Sequence, residues 1–396
     1  MKIALVGPTY PFRGGISHYT TLLAQQLRQR HEVRFFTFRR QYPAWLFPGR
    51  SDRDPSEEAA QLRAEAEPML DSLNPLTWWR TARAIQAAQP EALVLQWTVW
   101  FWGPLLLMLV ALARRWSPRT RVVLLCHNAT PHETGGRLVH LLAGWMQGRL
   151  ARQSDAILCH SKADLAVLQG VAPGVRARAV MMPTFGALAQ SAPMVSQAEA
   201  RRELGVPEAV SVLLFFGFVR PYKGLDVLFG AMPAVLARYP EATLLVAGEW
   251  WKDALPARDL LAKLGIESRV RLLDEYLPND RLPALFTAAD VAVLPYRSAT
   301  QSAVVQLAFG FKLPVITTTV GGLPEAVQHE VSGLLVPPDD AEALAAAIIR
   351  YLDEGWRERL APGVEAARNR FSWEALVEAI EEAVEAVPYK VREGAP

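Results

Sequence analysis

The sequence predicts an α/β protein built from two doubly wound, parallel-sheet halves. Three observations carry this. Short apolar runs alternate with helix-like segments along most of the chain. The alternation stops at residues 183–197, PTFGALAQSAPMVSQ, a polar break containing Pro and Gly, and then restarts. The chain's 396 residues exceed what one ordinary core holds and suit two domains. The expected organisation is therefore 1–190, then 198–371, with a final helical segment at 372–396.

The elements follow in order. KIALV (2–6) reads as a buried strand. GISHYTTLLAQQL (15–27) follows as a helix with Ile16, Tyr19, Leu23 and Leu27 on one face. HEVRFFTF (31–38) is the second strand, and the Pro-, Arg- and Asp-rich stretch 39–74 reads as irregular. Later strands are ALVLQ (92–96), RVVLLC (121–126), AILC (156–159) and AVMM (179–182). WTVWFWGPLLLMLVALA (97–113) is apolar enough to raise a membrane span, but Gly103-Pro104 divides it. Proline at a helix start is normal, so a turn and a buried helix over 104–115 is the expectation. The second half supplies SVLLFF (211–216), ATLLVA (242–247), VRLL (270–273), VAVL (291–294) and PVIT (314–317). DDAEALAAAIIRYLDEG carries an acidic start and a Gly stop, which suits a helix. SWEALVEAIEEAV is a last amphipathic helix. Near-continuous apolar strands of this kind belong to parallel sheets covered on both faces, with ligands outside the strands' carboxyl ends.

Composition excludes several classes. With 51% apolar and 21% charged residues the chain is not disordered. A net charge of +2 predicts no nucleic-acid partner. Two cysteines, Cys126 and Cys159, imply no disulfide framework. The start MKIALVGP reads as a strand and turn rather than a signal peptide, so a cytoplasmic location is expected.

The residues after each strand come next. GPTYPFRGG (7–15) ends in Gly14-Gly15 at a helix start, where backbone N–H groups can approach an anion. It is not GxGxxG, and the second strand ends in Arg39-Arg40 rather than an acid, so a classical dehydrogenase is not expected. His127 follows the 121–126 strand, where it can donate to a ligand oxygen, move a proton, or cap a turn. The Cys126-His127 and Cys159-His160 pairs are poorly placed for zinc, because neighbours on a strand point to opposite faces. Asp52-Arg53-Asp54 resembles a metal-holding D-x-D but reads as a solvated charge run. GFVRPYKG (217–224) places Arg220 and Lys223 three apart before a helix, a strong phosphate site. SATQSAVVQLAFGFKLPVI (298–316) gathers Ser298, Thr300, Gln301, Ser302 and Gln306 at a turn and helix start, none of them charged.

These pieces, with AGEW (247–250), VGGLPEAV (320–327) and HEVSGLLVPPDD (329–340), resemble the retaining glycosyltransferases of family 4, the group 1 glycosyltransferases. The resemblance implies GT-B architecture: two Rossmann-like domains facing a central cleft, with the C-terminal helix crossing back onto the N-terminal, acceptor-side domain. It implies transfer of a sugar from a nucleoside-diphosphate sugar to an acceptor hydroxyl, on a glycan or lipid-linked glycan, with retained configuration. Gly14 and Gly15 would meet the donor diphosphate from one side, and Arg220 and Lys223 from the other. His127 matches a histidine near the donor sugar, and Glu249 lies where the base sits. The family's paired glutamates fall at Ser298 (sugar) and Gln306 (ribose), so both carboxylates are absent; Thr300, Gln301 and Ser302 stand beside them as donor-pocket candidates. With two side-chain cations on the diphosphate, no metal or other cofactor is expected. An inactive GT-B protein that binds nucleotide sugar or a partner, and a sugar-nucleotide epimerase, are the alternatives. The basic and aromatic stretch 39–53, with Trp97, Trp100 and Trp102 nearby, suggests peripheral contact with the cytoplasmic membrane face.

Overall fold

A computed structural model describes residues 1–43, 47, 49–55, 63–129, 137–189 and 195–385, and the statements below concern these residues. The chain runs β1 (Lys2–Val6), α1 (Gly15–Arg28), β2 (Glu32–Arg40), β3 (Glu67–Asp71), α2 (Pro75–Ala88), β4 (Ala92–Trp97), α3 (Gly103–Trp116), β5 (Arg121–Cys126), α4 (Arg137–Gln153), β6 (Ala156–Cys159), α5 (Lys162–Val171) and β7 (Arg176–Ala179). It continues through α6 (Gly186–Ala189), α7 (Gln197–Glu203), β8 (Val212–Phe216), α8 (Leu225–Arg238), β9 (Thr243–Ala247), α9 (Asp259–Leu264), β10 (Val270–Leu273), α10 (Leu282–Ala288) and β11 (Val291–Leu294). The last elements are α11 (Ala303–Gly310), β12 (Val315–Thr318), α12 (Leu323–Ala326), β13 (Gly333–Val336), α13 (Ala341–Asp353), α14 (Trp356–Arg370) and α15 (Trp373–Glu385).

Two compact units emerge. The first comprises residues 1–47, 62–181 and 373–396; the second comprises 48–61 and 182–372. Two stretches from the first 190 residues thus group with the second unit. Hydrogen bonds explain both. Thr184 N–H donates to Phe371 O at 2.9 Å, and Phe185 N–H to Gln306 O at 3.4 Å. Residues 49–55 bond to Glu249, Asp274 and Asn279, as described below. Helix α15 belongs to the first unit, where it packs on α1, β5 and β6 and brings Trp373 within 5.3 Å of the Tyr19 ring.

The first sheet has the order β3-β2-β1-β4-β5-β6-β7 and the second β10-β9-β8-β11-β12-β13, and their strands pair in parallel. This is the doubly wound order. The direction of winding reverses between β1 and β4 in one unit and between β8 and β11 in the other. The central strands are largely apolar, and β4 and β11 are buried at every residue. Each unit also opens its core with the same device. Asp155, just before β6, accepts the Val122 N–H at 2.7 Å and Arg114 at 2.8 Å. Asp290, just before β11, accepts the Val212 N–H at 2.7 Å and Arg201 at 2.8 Å.

Three strands differ from the sequence expectation. EPMLD forms β3 inside the stretch read as irregular. It is an edge strand, where Pro68 needs no ladder donor, and two bidentate pairs hold it, Arg34–Glu67 at 2.7–2.8 Å and Arg40–Asp71 at 2.7–2.9 Å. The last strand of the first sheet is RARA, 176–179, rather than 179–182; its arginines are exposed, as an edge permits. GLLV adds β13 to the second sheet. Within 97–113 the chain makes a 3-10 turn at Trp100–Trp102 and then α3, and among the described residues no helix is long and apolar enough to cross a membrane.

Candidate functional site

In the second unit, the turns after β8 and β11 meet at the switch point. Gly217 leaves β8 with φ +104°, a conformation that excludes most side chains, and an added Cβ would sit 2.7 Å from Lys223 Nζ. Lys223 therefore folds back under its own turn. A short 3-10 turn, Pro221–Lys223, fixes the spacing, with Lys223 N–H donating to Arg220 O at 3.0 Å. Lys223 is only 7% exposed. Its ammonium lies 5.5 Å from the Tyr296 ring centroid, and among the described residues no carboxylate reaches it within 4.0 Å. Burial first, and the neighbouring Arg220 charge second, push its pKa down to about 8. Arg220 stacks over Trp251 at 4.3 Å and approaches Asp253 at 3.9 Å. One cation is thus buried without an anion, and the other is held against an indole.

Helix α11 starts beside them. Ser302 caps it by accepting the Val305 N–H at 3.3 Å, and its hydroxyl donates to Tyr296 Oη at 3.5 Å. Gln301 Nε2 donates to Gly322 O at 3.2 Å, tying this start to the VGGLPE turn. Ser298 is exposed and Thr300 half-buried. Val304 is the α11 residue facing the Gly217 turn, 3.5 Å from the position a Cβ would take there.

Gln306, expected at the ribose rather than at the diphosphate, takes another direction. Two residues on, it lies about 200° further round the helix from Val304 and so faces away from Lys223. It is fully buried, and among the described residues neither amide atom has a hydrogen-bond partner. The structure does not bring it to the cation site. An enclosed amide without partners costs roughly 1–3 kcal/mol. Gln306→Met keeps the volume and removes the polar atoms, so it should raise the unfolding midpoint of the ligand-free protein. A lower midpoint would show that the amide is satisfied.

Glu249 is also enclosed, at 2% exposure, and its Oε1 accepts the Arg50 N–H at 2.7 Å. Arg50 reaches Asp274 at 3.4 Å, which in turn accepts Arg258 at 2.6 Å and the Trp250 N–H at 3.0 Å. Asp54 is not a solvated charge: it is 6% exposed and accepts from Asn279 Nδ2 at 2.9 Å and Tyr276 Oη at 3.1 Å. Residues 49–54 are thus fastened along the Glu249 loop. Contacts between positions some 200 residues apart carry no local sequence signal. Phe218 and Trp251, 5.4 Å apart and adjoining Tyr276, complete an aromatic wall that the sequence reading missed; two aromatics directly following strands were its only signal.

In the first unit, Gly14 precedes α1 with φ +106° and ψ 162°, a region reserved for glycine, and an added Cβ there meets nothing within 4 Å. The exposed Gly15 begins the helix, and the Ser17 and His18 N–H groups donate to Gly14 O at 3.1 and 3.3 Å. His127 is buried rather than open to solvent, at 2% exposure. Its Nε2 lies 2.5 Å from Gln96 Oε1, its ring meets Tyr19 edge-on at 4.6 Å, and His160 is 5.1 Å away. Burial, with the His160 charge, holds its pKa well below the ordinary histidine range. His160 is brought down to about 4 by burial, and its Nδ1 donates to Val180 O at 2.9 Å. Both imidazoles are therefore neutral near pH 7. Among the described residues no three His, Cys, Asp or Glu side chains converge as metal ligands would.

Residues 13–184 match the family model described as Glycosyltransferase Family 4, and residues 210–354 match the one described as Glycosyl transferases group 1. The chain belongs to glycosyltransferase family 4, the group 1 glycosyltransferases. The D-inositol 3-phosphate glycosyltransferase of Salinispora arenicola is 38% identical to this family 4 chain over 191 residues, 46% of this chain and 42% of the relative. An uncharacterized glycosyltransferase of Methanocaldococcus jannaschii is 33% identical over 179 residues, 44% and 45% of the two chains. These alignments span under half of each relative's length. Among solved structures, the sucrose-phosphate synthase of Thermosynechococcus elongatus superposes with a TM-score of 0.72 at 22% identity, covering 96% of this chain and 97% of that one. Anabaena HepE, solved in complex with UDP-glucose, gives 0.74 at 18% identity, covering 98% and 100%. At these identities the likeness establishes the fold: α/β, two Rossmann-like domains, as in GT-B glycosyltransferases.

Proposed function

We propose that this chain transfers a sugar from a nucleoside-diphosphate sugar to the hydroxyl of a glycan or lipid-linked acceptor, retaining the anomeric configuration. One observation carries the reading: the buried Lys223 ammonium has no anionic partner among the described residues and sits where the doubly wound sheet reverses, beside the start of α11. A diphosphate supplies the missing charge. Arg220, three residues earlier, and the first N–H groups of α11 would share it. As the bond from the anomeric carbon to the phosphate oxygen breaks, charge accumulates on the leaving diphosphate, and these fixed donors stabilise it without reorganising. The acceptor oxygen bonds to the same face of the sugar, and its proton passes to the departing phosphate oxygen. Two side-chain cations already meet the diphosphate, so we expect the reaction to persist in EDTA. Gly14 and Gly15 would offer backbone N–H groups to the donor, and His127 an uncharged hydrogen-bonding edge to the sugar. Glu249 acts at one remove, positioning residues 49–54 beside the base.

UDP and UDP-glucose are the first ligands to test, because a protein of this fold holds UDP-glucose. Ligand at about 100 times its dissociation constant adds about 2.7 kcal/mol to stability. The reading expects a thermal shift with one nucleoside diphosphate and its sugars, lost in Arg220→Ala/Lys223→Ala, and product with retained configuration once an acceptor is supplied. A shift without turnover on any acceptor would favour a binding-only protein, in keeping with the exposed Ser298 and enclosed Gln306. No shift with any nucleotide would overturn the proposal.

A further inference from the structure

We infer that the outer face of α2, α3 and α4 docks the first unit onto an anionic lipid surface. Helix α3 packs between α2 and α4, so the three form one layer on a single side of the sheet. On α4, Leu138, Leu141, Leu142 and Trp145 are 78%, 72%, 45% and 56% exposed, at helical spacings of three, four and seven. On and just before α2, Leu73, Leu76 and Trp79 are 51%, 68% and 44% exposed. Exposed large apolar residues grouped in this way on one helical layer mark an interaction surface.

Charge identifies the partner. The three helices contain no Asp or Glu, while they carry Arg80, Arg83, Arg114, Arg115, Arg137, Arg149 and Arg152. Among the described residues only Arg114 of these is in an ion pair, with Asp155. The chain as a whole is close to neutral at +2, so the basic charge is concentrated here. Arg83 lies over the Trp79 and Trp116 rings at 5.1 and 4.8 Å, and Arg149 lies 6.0 Å from the Trp145 ring. Guanidinium groups beside exposed indoles suit the boundary between headgroups and acyl chains. A second copy of the chain fits less well, because it would set two basic faces against each other. The helices lie on the bilayer rather than cross it.

This placement differs from the sequence expectation. Trp97 and Trp102 are core residues at 4% and 1% exposure, Trp102 Nε1 donates to Gln41 O at 3.2 Å, and Trp100 packs against the same core. Of the 39–53 stretch, residues 44–46 and 48 lie outside the described residues, while Arg40 and Arg50 are engaged with Asp71 and Asp274.

The test is co-sedimentation of the full chain with vesicles of phosphatidylcholine alone or mixed with phosphatidylglycerol. Binding is expected to the mixed vesicles, weakening as salt rises. Leu141→Ser/Trp145→Ser should abolish it. Arg137→Gln/Arg149→Gln should weaken it about twenty-five-fold, at about fivefold per arginine. These side chains are exposed, so thermal unfolding should match wild type, separating lost docking from misfolding. Absence of binding to the mixed vesicles, or undiminished binding by both variants, overturns the inference. So does a dimer in sedimentation equilibrium that Leu141→Ser/Trp145→Ser dissolves, with no vesicle binding.

Discussion

Lys223→Met is expected to melt higher than wild type while losing nucleoside-diphosphate binding. The two effects share one cause. Lys223 is charged at neutral pH in a site that burial and Arg220 make unfavourable for charge, which is why its pKa falls to about 8. Lowering a lysine from its ordinary value of 10.5 to about 8 makes the charged native form less stable by up to about 3 kcal/mol at pH 7. Methionine keeps the stem that packs near Tyr296 and removes the ammonium. A gain of roughly 1–3 kcal/mol is expected, at about 2–4 °C per kcal/mol for a unit of this size. Removing one member of a buried charged pair costs about 2–5 kcal/mol of binding, so the dissociation constant should rise at least about thirtyfold. The sign of the pH dependence follows. Between about 8 and 10.5 the unfolded chain keeps the lysine proton that the native chain has lost, so the lysine's contribution makes native stability rise with pH across that window. Nucleotide affinity should move the opposite way, falling above pH 8 as the ammonium disappears. Calorimetric melting and nucleotide titration at pH 7 and 9, on both proteins, check all three. A destabilised Lys223→Met, or one that binds as tightly as wild type, would remove Lys223 from the site.

What was legible in the sequence divides along physical lines. IALV of β1 and VAVL announce themselves because central parallel strands are buried on both faces and are apolar where buried. EPMLD and RARA do not, because edge strands need one neighbour and little burial; β3 depends on arginine–carboxylate pairs at separations of 31–33 residues. Arg220 and Lys223 are readable because a strand end followed by a helix start fixes their place within a few residues. The direction of Gln306 was not readable in the same way, because it depends on where α11 begins. A helix turns about 100° per residue, so a count from the following strand fixes sequence position without fixing facing. The surroundings of Asp54 and Glu249 were not legible for another reason. Each gains its role from a segment about 200 residues distant.

Asp290→Ala should be the most damaging single change to the scaffold behind this site. Asp290 stands at the start of β11 and accepts from Val212 at the start of β8, so it joins the two strands whose far ends carry the Lys223 turn and residues 298–302. Arg201 and Arg357 donate to it at 2.8 and 2.6 Å. The decisive difference from Asp155 is the partner's burial. The Arg201 side chain is 7% exposed, whereas Arg114, the partner of Asp155, is 30% exposed and can turn to water. Deleting Asp290 strands a buried guanidinium, a loss of about 3–5 kcal/mol. Deleting Asp155 leaves a guanidinium that water can reach, for about 1–3 kcal/mol. Asp290→Asn retains an acceptor for Val212 and should fall between the two. Urea unfolding, read at the midpoint with the slope held as a check on exposed area, ranks the three variants. An Asp155→Ala midpoint as low as that of Asp290→Ala would mean that partner burial does not set the cost. Because the tie lies at the strand starts, Asp290→Asn should retain nucleotide affinity within a few-fold of wild type, whereas Lys223→Met, with its intact core, should not.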